Sequence, residues 1–179
     1  MSAVERIEGH CLCGAVSIAL DDPAHEIEIC QCDMCRRWGG SFYSAQTGKS
    51  VEITGEGKAT VYRSSEWAER AFCSQCGSNL WFRFLPTGNR SFSAGLFDAA
   101  AHHAIEKEIF VDERADWCRI EGDHPRQTGE EVIAEAKAAG FSFDQSGAEV
   151  GRLVDWRLRS RMIKQPPSLG ISPAADCGP

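Results

Sequence analysis

Seven of the nine cysteines fall within the first 76 of 179 residues, in three groups. Cys11-Leu12-Cys13 is a C-x-C, Cys30-Gln31-Cys32-Asp33-Met34-Cys35 fuses a C-x-C to a C-x-x-C, and Cys73-Ser74-Gln75-Cys76 is a C-x-x-C followed by Gly77. On an extended chain the two sulfurs of a C-x-C point to the same face, because strand side chains alternate with period two. In a C-x-x-C at a tight turn both sulfurs can reach one tetrahedral ion at ~2.3 Å. Gly77 supplies the freedom in φ that such a knuckle needs. Thiolate-rich tetrahedral sites suit zinc, and the compact four-cysteine runs of iron–sulfur proteins are absent from the sequence.

A disulfide scaffold is a poor reading of these cysteines. They make up about 5% of the chain, below the ~8–10% of such scaffolds, and an odd number cannot all pair. The segment from Met1 to Glu8 has no apolar stretch of the kind found in signal peptides. No run approaches the ~18 apolar residues of a membrane span. The expected compartment is therefore the cytoplasm, where clustered cysteines serve as metal ligands or catalytic thiols. The net charge of −7 argues against binding to nucleic-acid phosphates, which needs a basic surface.

Seven ligands divide as four plus three. Structural zinc is closed by four protein ligands, whereas catalytic zinc keeps one position open. The preferred partition joins Cys11 and Cys13 to Cys73 and Cys76, and leaves Cys30, Cys32 and Cys35 as an open trio. Spacing alone also allows a ribbon of Cys32, Cys35, Cys73 and Cys76, or a single structural zinc with the remaining cysteines buried as apolar groups. Cys118 reads as a core thiol and Cys177 as an exposed tail residue.

Short alternating segments predict strands at 15–20, 26–30, 41–46, 51–54, 59–62 and 79–84. Asp21-Asp22-Pro23 reads as a turn ending the first of them. In the segment 79–84, Leu80, Phe82 and Phe84 are expected on one face. Strands this short and frequent, without intervening helices, predict a mainly antiparallel β fold. Thr128-Gly129-Glu130-Glu131 fits a capping box opening a helix that Gly140 ends. Val150, Val154, Leu158 and Met162 form a weaker helical stripe. The Pro/Gly/Ala/Ser-rich segment 168–179 reads as a mobile tail.

Three strings in order carry a resemblance: Gly9-His10-Cys11-Leu12-Cys13-Gly14-Ala15-Val16, Cys30-Gln31-Cys32-Asp33-Met34-Cys35-Arg36-Arg37, and Phe72-Cys73-Ser74-Gln75-Cys76-Gly77-Ser78-Asn79-Leu80. With the later stretch from Ile109 to Trp117, they resemble the glutathione-dependent formaldehyde-activating enzyme family, which includes centromere protein V. The resemblance spans roughly residues 6–120. It implies a β-tent-like fold of small antiparallel sheets held by zinc, with one or two helices following. The expected domains are a zinc-binding domain over 1–125 and a helical extension over 126–179. The resemblance also implies a structural zinc on Cys11, Cys13, Cys73 and Cys76, and a second, open-sided zinc on Cys30, Cys32 and Cys35. The family activity is S-(hydroxymethyl)glutathione synthase, a carbon–sulfur lyase, with the trio as its catalytic centre.

Arg36 and Arg37 are candidates to hold the carboxylates of a small thiol such as glutathione, since arginine forks onto carboxylates. Two solvated surface arginines are the competing reading. Gln31 departs from the histidine the family often carries there, and an amide cannot titrate. His102 and His103 read as loop residues. A non-catalytic zinc-stabilised binding module or thiol carrier is the alternative to an enzyme. A C-x-x-C redox protein is a third reading, disfavoured by the reducing compartment and the trio.

Overall fold

A computed structural model describes residues 5–141. The helical stripe expected at 150–162, the tail and Cys177 lie outside the described residues. The fold is mainly β, as expected. Strands β1 (Arg6–His10), β2 (Ser17–Pro23) and β5 (Gly48–Thr54) form a three-stranded antiparallel sheet in the order β1-β2-β5. The larger sheet uses β3 (Glu26–Cys30), β4 (Tyr43–Gln46), β6 (Ala59–Ser65), β7 (Ala68–Cys73), β8 (Asn79–Phe84), β9 (Arg90–Ser93), β10 (Ala104–Ile109) and β11 (Arg126–Gln127). Its order is β11-β10-β3-β4-β9-β8-β7-β6. It is antiparallel except where β10 runs parallel to β3 and to β11. Arg126 and Gln127, just past the domain boundary expected at residue 125, thus pair within this sheet.

Four local expectations change. The turn predicted at Asp21-Asp22-Pro23 is strand, with β2 continuing to Pro23. Asp22 takes the left-handed conformation at φ 48°, so a polar pair that reads as a turn is accommodated within the ladder. In β8 the expected single face of Leu80, Phe82 and Phe84 is broken. The register with β7 passes from Ala71↔Trp81 to Phe72↔Asn79, and the extra residue turns both Leu80 and Trp81 into the core. A helix, α1 (Asp33–Gly39), interrupts the run of strands where none was expected. Five strands, β1, β7, β9, β10 and β11, also lie outside the segments predicted from alternation.

Helix α2 (Gly129–Ala138) matches the capping-box expectation. The Thr128 hydroxyl accepts the Glu131 N–H, and the Glu131 carboxylate accepts the Thr128 N–H. Gly129 is required there because a Cβ would lie 2.9 Å from the Phe110 ring. Phe110 itself holds φ 58°.

Two apolar clusters separate the faces of the larger sheet. The main core joins Ile7, Val16, Ile18 and Leu20 of the N-terminal region to Ala71, Leu80, Trp81 and Phe92 of the larger sheet, with Cys11 and Cys73 inside it. The smaller cluster gathers Cys35, Tyr43 and Ala45, with Cys30, Cys32, Trp38 and Phe82 packed on it. Burying this much apolar surface drives the collapse at roughly 25 cal/mol per Å². It also gives each group of cysteines its own surroundings.

Candidate metal centres

The sulfurs of Cys11, Cys13, Cys73 and Cys76 lie within 4.8 Å of one another, as do those of Cys30, Cys32 and Cys35. This is the four-plus-three partition; the ribbon of Cys32, Cys35, Cys73 and Cys76 does not form. The donor chemistry fits a metal. Four sulfurs at ~2.3 Å from a tetrahedral centre sit about 3.8 Å apart. Cys11 and Cys13 are 3.6 Å apart, and Cys13 and Cys73 are 3.8 Å apart.

Two matching knuckles build the four-cysteine cluster. The Gly14 N–H donates to Cys11 O at 2.9 Å, and the Gly77 N–H to Cys73 O at 2.9 Å. Gly14 (φ 73°) and Gly77 (φ 75°) are both left-handed, so the freedom expected of Gly77 is used, and used twice. Neutral dipoles face the sulfurs. The Val16 N–H donates to Cys11 Sγ at 3.3 Å, and Ser78 Oγ lies 3.3 Å from Cys76 Sγ. The Ser78 hydroxyl and N–H bring the Cys76 thiol down to about 5. The Ala15 N–H favours the Cys13 thiolate, but burial and the neighbouring sulfurs outweigh it and hold that thiol up at about 12.

The trio is built by the junction of a strand with a helix. Cys30 ends β3, Cys32 is the N-cap of α1, and Cys35 lies in its first turn. The Cys32 sulfur accepts the Cys35 N–H at 3.4 Å, so the C-x-x-C here is a helix cap and not a free turn. Hydrogen bonds from the Cys30 and Cys35 thiols bring Cys32 down to about 3, helped by the Cys35 N–H and the charge of Arg70. The Cys30 thiol is pushed far up by Cys32, by Cys35 and by burial. Cys30 favours the Cys35 thiolate, but Cys32 and burial prevail and raise Cys35 to about 11.

Around the trio stand residues whose partners the sequence did not announce, Gln31 and Glu113 among them. The Glu113 carboxylate accepts the Asp33 N–H at 2.6 Å, at the N-terminus of α1. Burial and the neighbouring negative charges raise it above the ordinary glutamate value. Gln31 is fully buried, and its amide donates to Glu108, also fully buried. Glu108 further accepts from His124 and from Arg126, each at 2.9 Å. Burial pushes the Glu108 carboxyl up, and the bonds from His124, Gln31 and Arg126 bring it below its ordinary value. This network joins β3, β10 and β11, and its members are 31, 108, 124 and 126 in sequence, so no local pattern announces it.

Arg36 and Arg37 sit in the last turn of α1 and both engage Asp33. The hydrogen bond from Arg37, with that from Arg36 and the charge of both, outweighs burial and lowers the Asp33 carboxyl. His103 bonds Gln46 at 2.9 Å, and neither His102 nor His103 joins a cysteine cluster. Cys118 is buried, as expected. Among the described residues no helix is long and apolar enough to cross a membrane.

Fold and clusters together define a class: a mainly β protein with two thiolate clusters, each able to hold a metal ion. The chain belongs to the glutathione-dependent formaldehyde-activating enzyme family, whose pattern matches residues 6–113. It is 29% identical over 111 residues to an uncharacterized lyase of Schizosaccharomyces pombe, covering 61% of this chain and 81% of that one. It is 25% identical over 132 residues to a Halomonas elongata protein described by the same family name, covering 64% and 81% respectively. A crystal structure of a Rhodobacter sphaeroides protein aligns with 67% of this chain and 99% of its own at 18% identity and a TM-score of 0.42.

Proposed function

We propose that this protein is a zinc-dependent carbon–sulfur lyase acting on small thiol adducts, of the type that joins glutathione to formaldehyde. The observation that carries this reading is the trio itself. Among the described residues, Cys30, Cys32 and Cys35 gather without a fourth histidine, cysteine or carboxylate ligand, whereas the other cluster is complete. Family membership supports the substrate class, and the lyase name of the yeast relative supports the reaction class.

Zinc at the trio would supply an open position at which a thiol is held as its thiolate. The reaction is then an addition. The thiolate sulfur would form a bond to the formaldehyde carbon as the carbonyl π bond breaks, and the resulting oxygen would take up the proton that the thiol gave to water, so that thiol and aldehyde balance the adduct. Arg36 and Arg37 flank the trio on α1 and would exchange their bonds to Asp33 for the carboxylates of the thiol substrate. Cys30, Cys32 and Cys35 hold the centre in place through the β3–α1 junction. Gln31 takes no part in proton transfer, because its side chain cannot titrate. Its amide serves to anchor β3 to Glu108.

Exchange spectroscopy on glutathione and formaldehyde, with and without the protein, tests the reading. Faster exchange with wild type, lost in Cys35→Ser, is the expected result. An exchange rate that the wild-type protein leaves unchanged removes this activity.

A further inference from the structure

Arg70 lies on β7 three residues before Cys73, and strand parity sends the two side chains to opposite faces. Cys73 joins the main core and the four-cysteine cluster. Arg70 points to the other face, where it is only 4% exposed. A guanidinium keeps its proton at any ordinary pH, so this position is a buried positive charge. Among the described residues no carboxylate forms an ion pair with it.

Its actual neighbours are specific. The guanidinium carbon lies 5.6 Å from the Trp38 ring centre and 5.3 Å from that of Phe82. Nη1 donates to the Ser64 hydroxyl and lies 4.0 Å from Met34 Sδ. Nη2 donates to Cys35 Sγ at 3.6 Å, and among the described residues Nε has no partner. Ring faces and a hydroxyl soften the loss of water around the charge but do not neutralise it. Among the described residues, the hydrogen-bonded partner of Arg70 that can carry a full negative charge is the Cys35 sulfur. Three thiolates around a divalent ion leave roughly one negative charge in excess, equal and opposite to that of Arg70. The four-cysteine cluster, by contrast, meets backbone N–H groups and the Ser78 hydroxyl.

We propose that Arg70 is the counter-cation of the three-cysteine cluster and a positioning residue for Cys35, strengthening the trio's hold on a divalent metal. The proposal rests on the reading of the trio as a metal centre. Arg36 and Arg37 do not serve this purpose, since both are engaged by Asp33 on the half-exposed side of α1.

The test is chelator competition on the zinc-loaded full chain, which resolves two classes of bound metal, with Cys35→Ser identifying the trio class. Arg70→Met removes the charge and keeps most of the bulk; Arg70→Lys keeps the charge. The expected result for Arg70→Met is a fall in trio affinity of about 10–100-fold. The four-cysteine site should keep its affinity, because Cys73 reports that β7 still holds its place. Arg70→Lys should restore most of the loss. Unchanged trio affinity in Arg70→Met, or equal losses in both variants, overturns the proposal. If Arg70→Met does not fold, Arg70→Gln takes its place and is read the same way: a weakened trio that Arg70→Lys restores supports the proposal, and an unchanged trio overturns it. Wild type that binds metal only at the four-cysteine site removes the reading of the trio as a metal centre, a separate outcome.

Discussion

At the four-cysteine cluster two glycine-turned knuckles hold four sulfurs, and the groups turned toward those sulfurs are neutral. At the three-cysteine cluster a strand end and a helix cap hold three sulfurs, and a buried arginine touches one of them. Both clusters use the same side chain, but the four-cysteine cluster joins segments some sixty residues apart while the trio lies within six consecutive residues. They differ in ligand count and in how negative charge is balanced. A closed site facing neutral dipoles suits a structural load, since nothing there can exchange. A site lacking one ligand and backed by a fixed cation suits binding a further anionic group, such as a thiolate.

The largest effect expected from this contrast comes from breaking the two sites in turn. Cys73→Ser should abolish metal binding at the four-cysteine cluster together with the cooperative fold, because binding energy at a closed site of this kind is folding energy. Cys35→Ser should lower the metal content by about one ion per chain and leave a folded protein. Elemental analysis with thermal unfolding checks both. An unfolded Cys35→Ser protein would erase the distinction between the sites.

A smaller effect is expected at the network that supports β3. Glu108→Ala leaves His124, Arg126 and Gln31 around a missing carboxylate, and removing one partner of a buried pair costs about 3–5 kcal/mol, measurable by denaturant unfolding. The same carboxyl gives the fold a pH dependence. Its value in the folded protein lies below the ordinary 4.5. Its stabilisation is therefore fully present above pH 4.5 and is lost as the pH falls through the lower, folded-state value. The difference in stability between wild type and Glu108→Gln should shrink across that acidic range. A difference independent of pH would mean that Glu108 is not held ionised.

The smallest effect is expected at the cap of α2, outside both clusters. Thr128→Ala removes the cap of α2 and should cost about 1 kcal/mol, with metal content unchanged. Any change in metal content would show that α2 supports the trio through Phe110 and Asp112, which meet Gly129.

The sequence alone was enough for the mainly β class and the capped helix at Thr128, because each depends on residues a few positions apart. Spacing preferred the grouping of Cys11 and Cys13 with Cys73 and Cys76 but left the ribbon open, and the assembled fold brings the four-plus-three clusters together. Tertiary structure decided the rest. The helix after Cys32 is short, and its cap is a sulfur, which is not among the usual capping side chains. The fold of Leu80 and Trp81 into one core follows from a register shift against β7, visible only in the paired strands. Arg70 and Glu108 lie in segments that carry no strand alternation, each one charge among several neighbours in sequence. Only the assembled sheet buries them, one against Cys35 and the other against Gln31, because a charge acquires a chemical role from the partners that replace its water.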